Sequence, residues 1–138
     1  MSVTIALTDD IEACRTLRRV VFVDEQGVSE ADEIDDLDDV CLHLLAIEND
    51  IPVGTARVHI AKGVAKIGRV CVLKSHRGTG LGASLIRKAL DVSRGKAAQA
   101  KLGAQTHAIG FYEALGFTVS GPIFDDAGIP HRNMMRDL

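Results

Sequence analysis

The stretch Ile67-Gly-Arg-Val-Cys-Val-Leu-Lys-Ser-His-Arg-Gly-Thr-Gly-Leu-Gly82, continued as Ala83-Ser-Leu-Ile-Arg-Lys-Ala-Leu90, decides how the rest of the chain is read. Val70 to Leu73 is an apolar, β-type run, and a turn holding Gly78, Gly80 and Gly82 follows it. Apolar residues then recur at Leu81, Leu85, Ala89 and Val92, the spacing of one helix face. The stretch reads as strand, loop, helix. Glycines that open a helix leave backbone N–H groups without intrahelical acceptors and let a ligand come close, which suits a phosphate or pyrophosphate.

Three glycine-loop patterns compete for this stretch. A P-loop requires a lysine beside its last glycine, and none lies between Lys74 and Lys88. A dinucleotide fingerprint fits as Gly78-x-Gly80-x-x-Ala83, but the acidic residue expected about 20 positions on is replaced by Gln99, Lys101 and Gln105. The third pattern, Arg-x-x-Gly-x-Gly, is met by Arg77, Gly80 and Gly82. The plain alternative is a glycine-rich turn with no ligand.

With 138 residues, the chain is expected to form one domain with one core. No apolar run approaches the ~20 residues of a membrane span, and Met1-Ser-Val-Thr-Ile-Ala-Leu7 lacks the basic segment and long apolar core of an export signal. A cytoplasmic location is expected, with no membrane or nucleic-acid partner. Cys14, Cys41 and Cys71 show neither metal-ligand spacing nor a disulfide pattern and read as reduced core thiols; no metal is expected. The net charge of −3 conceals an asymmetry. Residues 1–50 carry 14 Asp/Glu against 3 Arg, net −11, and residues 51–138 carry 5 Asp/Glu against 13 Lys/Arg, net +8. Most of these charges are expected on solvated faces.

Ser2 to Leu7 alternates as a strand, and Asp9 with Glu12 forms a capping-box-like start to a helix carrying Ile11, Cys14, Leu17, Arg18 and Val21. From Glu30 to Asp39 seven of ten residues are acidic, and the spacing of Ala31, Ile34 and Leu37 predicts a helical turn pinned to the core by those three. A calcium loop is excluded because the run has no glycine. Val40–Ile47 and Val53–Ala61 read as a hairpin about Glu48-Asn-Asp-Ile-Pro52, with Val53, Thr55, Arg57 and His59 on one face of the second strand. Lys62-Gly63 turns into the organising strand. After the helix come a strand at Gln99–Gln105, a short helix at His107–Leu115, a strand at Phe117–Phe124 and a last strand at Pro130–Met135. The result is a single-domain α/β (α+β) fold, with a mixed, mostly antiparallel sheet flanked by helices, whose one βαβ crossover carries the glycine loop.

With the loop placed, Phe111-Tyr112-Glu113-Ala114-Leu115-Gly116-Phe117 stands about 30 residues downstream. Together with Arg77-x-x-Gly80-x-Gly82 it resembles the two hallmarks of the GNAT N-acyltransferases. Val21-Phe-Val-Asp-Glu-Gln26, His43, Ile67-Gly-Arg-Val70, Leu102-Gly-Ala-Gln105 and Gly128-Ile-Pro-His131 draw the resemblance toward the ElaA-like branch and extend it over nearly the whole chain. It implies a sheet splayed between residues 66–73 and 99–105, with the pantetheine arm of CoA in the gap. It also implies acetyl-CoA as acyl donor, a small-molecule or peptide amine as acceptor, and an assembly compatible with a homodimer.

Residue by residue, the resemblance places the backbone of Val70, Cys71 and Val72 on the pantetheine arm. It places the amides of Arg77, Gly78, Thr79, Gly80, Leu81, Gly82 and Ala83 on the pyrophosphate, and Gln105 beside the arm. The Tyr112 hydroxyl falls near the thioester sulfur, where it acts as general acid; the alternative is a core tyrosine. Glu25 is the first candidate for general base, followed by His131, Asp36 and His107. His43 and His59, both in strands, read as core or sheet-face residues. The alternatives are an acyl-homoserine-lactone-synthase-like acyltransferase, since those enzymes share the fold and an acidic segment after the first helix, and a non-catalytic acyl-CoA sensor.

Overall fold

The computed structural model describes residues 2–138. Strand β1 (Val3–Thr8) leads to helix α1 (Ile11–Arg18), whose first turn is capped by the Asp10 carboxylate accepting from the N–H of Ala13 at 3.2 Å. The cap is Asp10 rather than the expected Asp9, because a cap side chain must reach an amide two or three residues on and the helix begins at Ile11. Beyond Arg18 the helix widens into a π-helical segment, Arg19–Glu25, and a single turn, α2 (Glu30–Glu33), follows.

Strands β2 (Leu42–Glu48), β3 (Ile51–Ala61) and β4 (Val64–Val72) form the expected antiparallel meander. Its tight turns, Asn49-Asp50 and Lys62-Gly63, have positive φ at both central residues, which matches the twist of paired strands. Helix α3 (Leu81–Ser93) crosses over to β5 (Gln99–Gln105), which lies parallel to β4. Helix α4 (Ile109–Glu113), β6 (Thr118–Val119), β7 (Phe124–Asp126) and β8 (Ile129–Asp137) complete the chain. The expected strand Phe117–Phe124 is thus two short strands. Pro122 has no N–H for a ladder, and the carbonyl of Gly121 accepts from Arg132 Nε at 2.8 Å instead of from a strand partner.

The eight strands run β1-β2-β3-β4-β5-β8-β6, with β7 also on β8, and β4–β5 is the one parallel pair. That pair holds register only at Val64–Gln99, Ala65–Ala100 and Lys66–Lys101, after which the strands part. The sheet is therefore splayed where the sequence suggests.

Each face of the sheet has its own apolar cluster. Leu81, Leu85, Ile86, Ala89 and Leu90 of α3 pack on Leu44, Ala56, Val58, Ile67 and Leu102. Val92, expected on this helix face, is only half-buried. Gly54 lets α3 approach, since a Cβ there would lie 3.1 Å from Leu85 Cδ1. On the other face Cys14, Leu17 and Val21 cover Leu45 and Cys71. Val53 belongs to the α3 cluster, not to the face of Thr55 and Arg57, because a bulge between Pro52 and Gly54 shifts its register on β2.

The acidic segment departs most from expectation. Ala31 and Ile34 are exposed and Leu37 is half-buried, while Glu33 and Asp38 are buried. The segment is held by charge: Arg18 grips Glu33 and Asp38, and Arg57 grips Asp35 and Asp38. These side chains are not on solvated faces.

Candidate active site

Where β4 and β5 part, a cavity of about 430 Å³ opens between the π-helical segment, α2, β3, β4, β5, β8 and the β7–β8 turn. The wide π turn places Phe22 and Gln26 on its wall, a position for which π-bulges are often used. Val70 lines the β4 side, Gln105 and His131 the far side, and Tyr112 closes it from α4.

The glycine loop lies at the end of β4. Gly78 and Gly80 have φ of +77° and +85°, and Gly80 is the N-cap of α3 with no side-chain cap. Among the described residues no acceptor is found for the six successive N–H groups of residues 78–83, and a Cβ at Gly78 or Gly80 would meet nothing within 4 Å. An open cradle of unaccepted amides at a helix N-terminus fits a pyrophosphate. Thr79 adds no side chain to it, because its hydroxyl donates to the His76 carbonyl at 2.6 Å. Leu81 and Ala83 face the protein more than the loop's outer side.

The β4 stretch divides. Val70 faces the gap. Cys71 turns its side chain into the α1 cluster, where burial pushes the thiol pKa up to about 12, so only its backbone remains for a ligand. The Val72 carbonyl accepts from Arg77 Nε at 3.1 Å, a bond that a pantetheine contact there would have to replace. Arg77 in turn pairs with Glu25 at 2.8 Å.

Glu25 is thereby engaged by the loop arginine and does not line the cavity. Glu25 thus faces the glycine loop rather than the cavity. Asp36 is exposed and also outside the cavity. His107 is exposed and bonds Gln105 Oε1 through Nε2 at 2.7 Å. The remaining candidate, His131, is 9% exposed, stacks on Phe124 with ring centroids 5.8 Å apart and lines the cavity. Its Nδ1 lies 2.7 Å from the carbonyl of Ile129. A carbonyl can only accept, so Nδ1 carries a proton, and in the neutral ring the lone pair is on Nε2.

Tyr112 is half-buried, edge-on to Phe111 at 5.0 Å and to Phe117 at 6.1 Å, and its hydroxyl makes no hydrogen bond among the described residues. Burial raises its pKa, so the hydroxyl stays protonated. Gln105 donates to Gln26 Oε1 at 3.2 Å, bridging the two walls.

Two groups on the wall escape the sequence reading. His59 lines the cavity and is not a plain sheet-face residue. Arg69 also lines it, from a backbone with φ of +51°. Periodicity cannot reveal Arg69, because the β4 bulge that aims it is a local departure from alternation. His43 is buried, with Nε2 2.8 Å from the Asp38 carbonyl, as expected of a strand histidine.

Comparison with known proteins agrees with this geometry. The chain is 44% identical over 124 residues, 88% of each sequence, to the uncharacterized N-acetyltransferase YjcF of Bacillus subtilis (strain 168). It superposes on an acyl-CoA N-acyltransferase from Pseudomonas aeruginosa with a TM-score of 0.88 and 28% identity, covering 98% of this chain and 99% of the other. The crystal structure of Escherichia coli ElaA matches with a TM-score of 0.84 and 30% identity, over 98% of both chains. The acetyltransferase (GNAT) domain model matches residues 20–138. By fold, cradle and kinship this chain belongs to the GNAT family of N-acetyltransferases.

Proposed function

We propose that the protein transfers an acetyl group from acetyl-CoA to a primary amine by direct attack within a ternary complex. The observation that carries the reading is the run of unaccepted amides at residues 78–83, opening α3 beside the unpaired stretch of β4. Acetyl-CoA supplies an activated acyl carbon whose thiol is an acceptable leaving group. The amides of residues 78–83 would hold its pyrophosphate, Val70 and Gln105 would flank its pantetheine arm, and Arg77 would exchange Glu25 for phosphate oxygens.

The protein's own task is then proton management. A lysine-like amine of pKa ~10.4 must give up about 4.6 kcal/mol to be neutral at pH 7. The ammonium loses its first proton to solvent, and His131 Nε2 takes the second as the neutral nitrogen bonds to the acyl carbon; the Nδ1–H bond to Ile129 fixes the neutral tautomer that can do so. When the C–S bond breaks, the protonated Tyr112 hydroxyl supplies the proton to the thiolate, and exchange with solvent returns Tyr112 and His131 to their starting states. The acceptor is a small molecule or an exposed peptide amine, and the setting is the cytoplasm. No described helix is long and apolar enough to cross a membrane.

The test is a screen of amines with acetyl-CoA, read by thiol release and by mass of the product. Turnover with at least one amine and N-acetylated product is expected. CoA binding without thiol release across the screen would favour a sensor.

A further inference from the structure

Arg69 stands where β4 carries one residue more than β3, between the pairs Thr55–Cys71 and Arg57–Gly68. A left-handed backbone at a non-glycine residue costs about 1–3 kcal/mol and persists where the surroundings demand it. Here it turns a guanidinium onto the cavity wall.

That guanidinium is incompletely satisfied. Its Nη2 donates to the Glu33 carbonyl at 3.0 Å and reaches Asp35 Oδ2 at 3.3 Å and the Asp32 carbonyl at 3.5 Å. Nε is buried with no hydrogen-bond acceptor, Glu33 Oε1 being 3.9 Å away, and Nη1 has none among the described residues. Both nearby carboxylates are already held more closely by other arginines, Glu33 by Arg18 and Asp35 by Arg57 at 2.7 Å. The same wall carries His59 and Lys66, opposite each other across β3 and β4, neither with a bonding partner among the described residues. Between them and Arg69, Gly68 leaves open space, since a Cβ there would meet nothing within 4 Å.

The far wall has the opposite character. His131 and Tyr112 are the groups assigned to proton transfer. Asp126, on the same side of β7 as Phe124, presents a carboxylate with no ion pair among the described residues. On the Arg69 side, Asp32 also borders the lining and is exposed, as is Lys66. The two walls are one strand spacing apart at Lys66–Lys101 and diverge beyond it, with Arg69 on one side of the gap and His131, paired with Gln105, on the other.

We propose that the acceptor is a primary amine that also bears a carboxylate. Arg69, with Lys66 and His59, holds the carboxylate, while the nitrogen lies toward His131 and Tyr112. Charge-assisted recognition of a carboxylate suits a guanidinium whose Nη1 has no acceptor among the described residues. The inference rests on the acyl-transfer reading above, but the anion subsite itself does not.

The experiment compares glycine, β-alanine and γ-aminobutyrate with their carboxamides, using acetyl-CoA, thiol release and the wild type, Arg69→Gln and Arg69→Lys proteins, with circular dichroism as a folding check. The wild type is expected to prefer the acids by about 10- to 100-fold in kcat/KM, mostly through KM. Arg69→Gln should collapse that ratio toward unity and Arg69→Lys should keep part of it. Amides used as well as acids by the wild type, or a ratio unchanged in folded Arg69→Gln, would overturn the proposal. If no amine turns over, calorimetry with the same acids decides. Binding weakened tenfold or more by Arg69→Gln upholds the subsite, and no binding of the acids overturns it, while the acyl-transfer reading is decided by the wider amine screen.

Discussion

Arg77 and Glu25 meet across 2.8 Å, and the same guanidinium donates through Nε to the Val72 carbonyl. One side chain thus ties the glycine loop to the end of β4 and to the last residue of the π-helical segment. Both partners are substantially exposed, at 43% and 30%, so the pair contributes at most ~1 kcal/mol to stability. Its interest lies in what it withdraws from chemistry. Glu25→Gln should keep thermal stability, bind CoA at least as tightly as wild type, and keep most of kcat. His131→Gln should lose about 10²–10⁴-fold in kcat, the range for a general base. A loss of that size in Glu25→Gln, with His131→Gln near wild type, would return the role to Glu25.

Gly82 separates loop from ligand effects better than Gly80 does. Gly78 and Gly80 need positive φ, so a side chain there strains the turn itself. Gly82 lies inside α3, and a Cβ on it would come no closer than 3.7 Å to Phe111 Cζ. Gly82→Val should therefore fold, with an unchanged circular dichroism spectrum, yet lose CoA affinity because the branched side chain stands where the pyrophosphate must approach. Calorimetry decides, and native affinity in the folded variant would sink the cradle. The wild-type affinity should also weaken with salt, as charges more than a Debye length apart, ~10 Å at 0.1 M, are screened.

The fold was legible because its decisive features are local. Glycines fix the loop, alternation fixes the meander, and the one helix of three turns or more between strands fixes the crossover. Long-range charge pairing was not legible. Ala31, Ile34 and Leu37 have helical spacing, yet the segment is pinned by Glu33 and Asp38, because Arg18 and Arg57 come from elements far away in sequence and offset the cost of burying carboxylates. The Arg77–Glu25 pair was not legible for the same reason: nothing near Glu25 in sequence announces Arg77. His131 was among the candidates, but the bond to Ile129 and the Phe124 stack that single it out are products of the β7–β8 hairpin.

The buried charges should make the protein acid-sensitive. Hydrogen bonds from Arg57 hold Asp35 at a pKa of about 2 despite partial burial. Burial pushes Asp38 up, but bonds from Arg18, Arg15 and Arg57 outweigh it and hold the carboxyl well below the usual range. Both folded pKa values lie below the unfolded ones, so the stabilisation is complete above about pH 4 and is lost as pH falls toward 2. For Asp35 this amounts to about 2 kcal/mol. Denaturant titrations at pH 7, 4 and 2.5 should show flat stability over the first interval and a fall over the second, and Asp35→Asn should flatten that fall. Arg18→Met should be far worse than Asp35→Asn, costing about 3–5 kcal/mol at pH 7, because it strands Glu33 and Asp38 in the interior without their closest cation.

Tyr112→Phe isolates the proton donor. The ring packs edge-on against Phe111 and Phe117, and phenylalanine preserves both contacts. The hydroxyl has no hydrogen-bond partner among the described residues, so its removal strands no buried group, and thermal stability and CoA affinity should change little. What remains is its effect on the departing thiolate. A thiol of pKa ~8.5 leaves tolerably without help, so the loss should lie at the low end of general-acid effects, roughly 10²-fold in kcat. Burial raises the Tyr112 pKa from its ordinary phenol value, and the donor is the protonated form, so activity that depends on it should persist through neutral pH and decline only on the alkaline side. The pH–rate profile of Tyr112→Phe should lack that alkaline limb. Wild-type kcat in the folded variant, with chemistry shown to be rate-limiting by a single-turnover measurement, would assign the proton to water or to another residue.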